Sequence, residues 1–377
     1  MKRYNFLSIL FVSLLLFSFS CKKNDSPRVL NDDKDIVLML NPGKNNPRNS
    51  EGDFITLKNG SLLFIYTHFT GSSNGDDSPA YLAGRYSLDS GKTWLKDEKR
   101  IIENTGRLNS MSVSLLRLQN GSIALFYVIK NSMKDCRPFM RISTDEGQTW
   151  SSPKSCINDR PGYYALNNNR VIQLKSGRLI LPVSLHQTED EGVWSHIGRL
   201  YTYYSDDDGN TWKRSETVPN PRQILTQEPG VIELKNGQIL MTMRTNQRYQ
   251  YFSYSKDHGE SWSTIKASPI ISPVSPASIA RIPSTNDLII IWNNNKGENE
   301  STKEYRTPYN LAISKDEGQS WDLVKTIESN TDGMYCYTAI HFIDNHLLLS
   351  HSAGSMSKGT GLSVLHVTRL SLKWIYN

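Results

Sequence analysis

Four cysteines in 377 residues are too few for a disulfide-stapled scaffold, and none stands in a CxxC pair. The eight histidines show no HExxH or similar ligand spacing. No metal and no cofactor is therefore expected. A surplus of one charge is lacking too. Lys and Arg number 43 against 37 Asp and Glu, and the net +6 is dispersed. That excludes a nucleic-acid footprint, which needs clustered basic side chains. No helical period is sustained beyond the first twenty residues. Apolar runs are short, with one exception at the very start. What is plentiful is aromatic: 8 Trp and 18 Tyr, a supply that suits strands or a sugar-binding surface and excludes disorder.

The exception is Phe6 to Phe19, preceded by Lys2 and Arg3, with the small residues Ser18 and Ser20 at its end and then Cys21. It is shorter than the roughly 20 residues a spanning helix needs. Basic residues, an apolar run and a small-residue cleavage site make a secretory signal over residues 1–20. A Cys at the cleavage point resembles the lipobox of bacterial lipoproteins, so Cys21 is the expected lipidation site. Residues 21–34 are polar and read as a tether. The expected location is the bacterial envelope, periplasmic or cell-surface (outer membrane), with the lipid as the only membrane contact. A monomer is expected.

Internal repeats decide the fold. The pattern Ser-x-Asp-x-Gly-x-Thr/Ser-Trp occurs at Ser87–Trp94, Ser143–Trp150, Ser205–Trp212, Ser255–Trp262 and Ser314–Trp321. The steps between its Asp residues are 56, 62, 50 and 59. As a hairpin turn the pattern makes physical sense: Asp folds its carboxylate onto nearby N–H groups, and Gly takes a positive φ. Its Asp residues are structural. A second signal precedes each copy, a tight turn between alternating apolar runs. It stands at Asn59-Gly60, Asn120-Gly121, Ser176-Gly177 and Asn236-Gly237, with degenerate versions at Thr285-Asn286 and Asp344-Asn345.

Six hairpin signals make six units of four antiparallel strands, within a single domain over residues 35–377. Radial repetition of four-stranded units is a six-bladed β-propeller, all-β. A strand over 36–40 is available to close the ring. Cys136 and Cys156 lie equidistant from Glu146, in the second turn, and two strands diverging from it predict a disulfide between them.

At this point the chain resembles the sialidase (neuraminidase) superfamily over essentially all of residues 36–376. Sialidases are six-bladed propellers with several such Asp-boxes, and the finer matches are local. In Gln227-Glu228-Pro-Gly…Met-Arg244-Thr, Glu228 and Arg244 stand where sialidases carry a Glu and a clamping Arg. Tyr335-Cys-Tyr337-Thr-Ala-Ile resembles the strand of the nucleophilic Tyr, which makes Tyr337 the candidate. Arg306, in Glu304-Tyr-Arg306-Thr-Pro, stands as a substrate-binding Arg does. Gly75-Asp76-Asp77-Ser78 lies where the family places its acid/base Asp; Asp76 fits the count, and Asp77 is the alternative.

The chemistry explains these residue types. A sialic acid carries a carboxylate on its anomeric carbon, which repels a carboxylate nucleophile but not a phenol. A phenol needs a base, the role of Glu228. An acid, Asp76, protonates the leaving oxygen. Arginines clamp the carboxylate bidentately.

One position departs from the family. Where sialidases carry a first clamping Arg, the chain reads Arg48-Asn-Ser-Glu51-Gly-Asp53. Counting back nine residues from the turn Gly puts Glu51 in the slot of Glu228, and Ser112 and Asn168 in the same slot of their units. Arg48, Arg107 or Arg170 is left to supply the missing charge. The resemblance implies a retaining exo-glycosidase releasing terminal α-linked sialic acid, or a related acidic sugar, from a glycan or glycoconjugate. Two alternatives stay open: a propeller glycosidase for a non-sialic sugar, which suits Glu51, and a catalytically silent glycan-binding surface lipoprotein. Trp194 and Asn293–Lys296 are further candidates for the cleft rim.

Overall fold

Five turns, built alike, set the frame. In each Asp motif the Ser hydroxyl accepts from the Gly N–H and donates to the Asp carboxylate, at 2.7–2.9 Å. The same carboxylate accepts the N–H of the Thr or Ser four residues on, at 2.8–2.9 Å. The Gly residues take positive φ as expected. So do the residues before them, Ser90, Glu146, Asp208, His258 and Glu317, with φ of 54–62°. A non-Gly residue in that region is strained, and the Asp carboxylate's hydrogen bonds hold it there.

The molecule is a computed structural model in which residues 31–377 are described, apart from 302–303. The expected signal, Cys21 and residues 22–30 of the tether lie outside the described residues. Four of the five sheets have four antiparallel strands each. The first comprises Asn49–Thr56, Leu62–Phe69, Ala80–Ser87 and Lys99–Ile102. Two more run from Thr226 to Ile271 and from Ser278 to Glu328. In the last, Gly333–Ile343, His346–Ser355 and Leu365–Ser371 are completed by Lys34–Leu40 from the start of the chain.

The fifth sheet departs from the expected pattern. Units two and three merge into nine strands, joined where Tyr163 pairs in parallel with Cys136. The cause is a broken first strand in unit three. It is split into Gly162–Ala165 and Ile172–Gln173, and the first piece lodges between Leu179–Thr188 and Asp135–Ser143. First strands of neighbouring units are in contact: Asn49–Thr56 touches both Asn109–Arg117 and Gly333–Ile343. Apolar clusters fill the seams between neighbouring sheets.

The disulfide expectation is corrected. Cys136, Cys156 and Cys336 are free and buried. The strands on either side of the second Asp turn pair Phe139 with Ser155 and Met140 with Lys154. That register is centred on residue 147 rather than 146, and it sets the Cys156 N–H against Pro138 O at 3.0 Å. Cys136, two residues further along, pairs with Tyr163 instead. Burial pushes the Cys136 thiol up to about 12.

Candidate active site

Four strand defects build the site. The first strands of units one, two, four and six each carry a bulge, two residues opposite one on the next strand, which shifts the register by one. The residues set free are Glu51-Gly52, Ser112-Val113, Glu228-Pro229 and Tyr337-Thr338. In each pair the first residue has a left-handed backbone, with φ of 51, 59, 50 and 55°. Such bulges re-aim a side chain out of the alternating pattern. All four first residues line one cavity of about 80 Å³. Asp76, Met111, Val128, Cys136, Tyr163 and Asn167 line it as well.

Tyr337 donates its phenol proton to Glu228 Oε1 at 3.3 Å. Arg244 Nη1 lies 2.7 Å from Glu228 Oε2, and the same guanidinium donates to Gln227 Oε1. Arg306 sits 5.4 Å from the Tyr337 ring centroid and donates to Cys336 Sγ at 3.0 Å. Burial first, and then the Glu228 charge, push the phenol well above its ordinary value; Arg306 and Arg244 act against this. The pair is a phenol with a base in reach and two guanidinium groups beside it.

The other wall is acidic. Arg48, 1% exposed, does stand by the cavity, but it is engaged. Its Nη1 lies 2.5 Å from Asp76 Oδ1, and its Nη2 lies 3.1 Å from Glu51 Oε1. Glu51, 5% exposed, also accepts from the Ser112 hydroxyl. Burial pushes the Glu51 carboxyl above its ordinary value although Arg48 pulls the other way. Burial would raise Asp76 too, but the Arg48 guanidinium outweighs it and holds that carboxyl below its ordinary value.

Asp77 turns away and pairs with the buried Lys130 at 2.5 Å. Arg170 is sequestered, donating to Ser278 Oγ and Ala277 O at 2.9 Å each. Asn294–Lys296 line a separate surface cavity with Glu298 and Pro308. Trp194 stacks on His186 at 4.6 Å and meets Tyr163 edge-on at 4.6 Å, so it stands beside the cavity wall. Among the described residues no group of His, Cys, Asp or Glu is placed to hold a metal ion.

Sequence reasoning missed Tyr163, Lys130 and Cys136 as neighbours of the site. Tyr163 belongs to the broken strand, which no turn or alternation marks. Asn168 was found only as an occupant of the Glu228 slot, and its task is different. Its amide donates to Gly52 O at 2.8 Å and to Tyr337 O at 3.0 Å, tying two of the bulges together. The left-handed residue of unit three is its neighbour Asn169.

The model of the BNR repeat-like domain matches residues 103–348. The chain belongs to this family. Relatives include the sialidase of Clostridium perfringens, 29% identical over 60% of this chain and 64% of that one. Another is the Micromonospora viridifaciens sialidase, 25% identical over 74% of this chain and 46% of that one. The chain thus spans from under half to about two-thirds of these relatives' length. Among solved structures, a NanB sialidase mutant from Streptococcus pneumoniae superposes with a TM-score of 0.72 at 15% identity, covering 93% of this chain and 72% of that one. A protein of unknown function from Dyadobacter fermentans gives 0.70 at 18% identity, covering 90% and 99%. The two structural likenesses show a fold shared with those proteins.

Proposed function

We propose that the chain is a retaining exo-glycosidase of the sialidase type, acting on the terminal sugar of a glycan, with α-linked sialic acid or a related acidic sugar as its leading substrate. The contact of Tyr337 with Glu228 carries this reading. A Tyr nucleophile with a carboxylate base suits an anomeric carbon that bears its own negative charge. Glu228 takes the phenol proton as Tyr337 attacks, and a cavity carboxylate protonates the leaving oxygen. Arg244 and Arg306 hold the substrate's carboxylate. The relatives named above are sialidases, which supports the class. We place this site at the axis of a six-bladed propeller, in an envelope lipoprotein held by lipidated Cys21.

A second reading changes the sugar. The cavity is lined by Glu51, Asp76 and Glu228, with no Arg or Lys side chain among its lining residues. An uncharged or amino-bearing sugar meets less repulsion there. Hydrolysis of a panel of fluorogenic glycosides, sialosides included, separates the two. Wild type is expected to release sialic acid, and Tyr337→Phe to lose turnover by roughly 10³-fold or more. Cleavage of neutral glycosides alone would remove the sialoside reading.

A further inference from the structure

Resting on that glycosidase reading, we propose that Glu51 is the proton donor of the reaction, while Asp76 holds Arg48 at the cavity mouth. The geometry divides the two carboxylates. Asp76 is 62% exposed and sits on the turn Gly75–Ser78, pinned from beneath. Asn109 donates to Asp76 O and Ser78 O at 2.8 and 3.0 Å, and Lys130 pairs with the adjoining Asp77. The side chain spends its charge on the Arg48 guanidinium at 2.5 Å. A carboxylate in so short an ion pair is a poor proton source, because giving up its charge costs the buried Arg48 the shorter of its two ion pairs.

Glu51 is the reverse case. It is sunk in the cavity on a bulge of the same build as those of Glu228 and Tyr337, so its carboxyl is aimed at the same volume. Its neighbours are Arg48, Ser112, Asp76 and Glu228. The nearest cation is shared with Asp76, which holds it at shorter range. Two further carboxylates disfavour a third charge, and burial acts in the same sense. Carboxyls driven apart in this way take the acid and base roles of a site.

The step balances. Glu51 gives its proton to the glycosidic oxygen, which receives the electron pair of the breaking C–O bond. Tyr337 Oη bonds to the anomeric carbon, and its proton passes to Glu228. In the second half Glu51 takes a proton from water, whose oxygen bonds to the anomeric carbon. The electron pair of the Tyr337–sugar bond returns to the phenol oxygen, which recovers the proton from Glu228.

The test compares Glu51→Gln and Asp76→Asn on two glycosides of whichever sugar the wild type accepts. One has an alkyl or sugar leaving group, the other an activated nitrophenol. Loss of the acid matters only where the leaving group needs protonation. Glu51→Gln is expected to lose roughly 10²–10⁴-fold on the first substrate and under about tenfold on the second. It also loses the basic limb of the kcat/KM pH profile, and azide restores turnover on the activated glycoside. Glu51→Asp, which keeps a shorter acid, retains that limb. A leaving-group dependence in Asp76→Asn and not in Glu51→Gln would overturn the assignment. A wild type that cleaves no glycoside would overturn the glycosidase reading, and this assignment with it.

Discussion

Arg306 separates the two substrate readings at the scale of one residue. Its guanidinium lies over the nucleophile's ring and donates to the Cys336 sulfur, a weak acceptor. If the sugar carries a carboxylate, Arg306 supplies charge-assisted hydrogen bonds worth roughly 1.5–3 kcal/mol. Arg306→Ala is then expected to raise KM by roughly 10–100-fold, with a smaller change in kcat. For a neutral sugar KM stays within a factor of about three. Initial-rate kinetics on the accepted glycoside decide between the two. Residue identities of this kind were legible because they stand in local strings, such as Gln227-Glu228-Pro-Gly and Tyr335-Cys-Tyr337. Their partners were not. Nothing within three residues of Arg48 says that it reaches Asp76, and nothing near Lys130 points to Asp77, because loop path sets both pairs.

Asp motifs and bulges are the elements that hold those residues. The motif carboxylates of Asp145, Asp207 and Asp316 are held at about 2 by their hydrogen bonds, against an unfolded value of roughly 3.9. A depressed carboxyl contributes stability that is present above the unfolded value and is lost as pH falls through the folded one. The melting temperature is therefore expected to lose this contribution between about pH 4 and pH 2. Asp145→Ala lowers Tm by roughly 2–4 °C at pH 7 and by less at pH 2.5. An equal drop at both pH values in differential scanning calorimetry would sink the account.

Bulges obey another logic. Each leaves carbonyls outside the ladder, and Asn168 satisfies one beside Glu51 and another on Tyr337 itself. Asn168→Ala is expected to cut kcat by roughly tenfold with KM nearly unchanged. Asn168→Asp is worse, because a carboxylate then faces two carbonyl oxygens. A KM effect without a kcat effect would count against a positioning role. The motifs were plain in the sequence since their bonds span four residues. The bulges were legible only as a shared slot nine residues before a turn Gly, because their backbone geometry answers to neighbours from other units. Unit three shows the limit: with its first strand split, the count chose Asn168 where the left-handed residue is Asn169.

For the whole molecule the decisive contact joins the two ends of the described chain. Lys34–Leu40 pairs with Leu365–Ser371, from Lys34 opposite Leu370 to Leu40 opposite Leu365. Asp33 O accepts the Ser371 N–H at 2.9 Å, and Arg369 donates to Asp32 at 3.1 Å. Leu40 and, partly buried, Leu38 join a cluster that includes Phe54, Phe64 and Leu348, so one strand fastens the last sheet and fills the seam with the first. That seam bears directly on the site, since Glu51 is on the first sheet and Tyr337 on the last. Without the strand, Leu365–Ser371 becomes an apolar edge with open N–H and C=O groups, the kind of edge that recruits other chains. A chain beginning at residue 42 is therefore expected to melt roughly 10 °C or more below one beginning at residue 22, and to associate on concentration. Adding a synthetic 32–41 peptide recovers part of the loss by mass action. Light scattering and calorimetry on the two chains check this. Melting of the shorter chain within about 2 °C of the longer, as a monomer, would show that the seam holds without its strand.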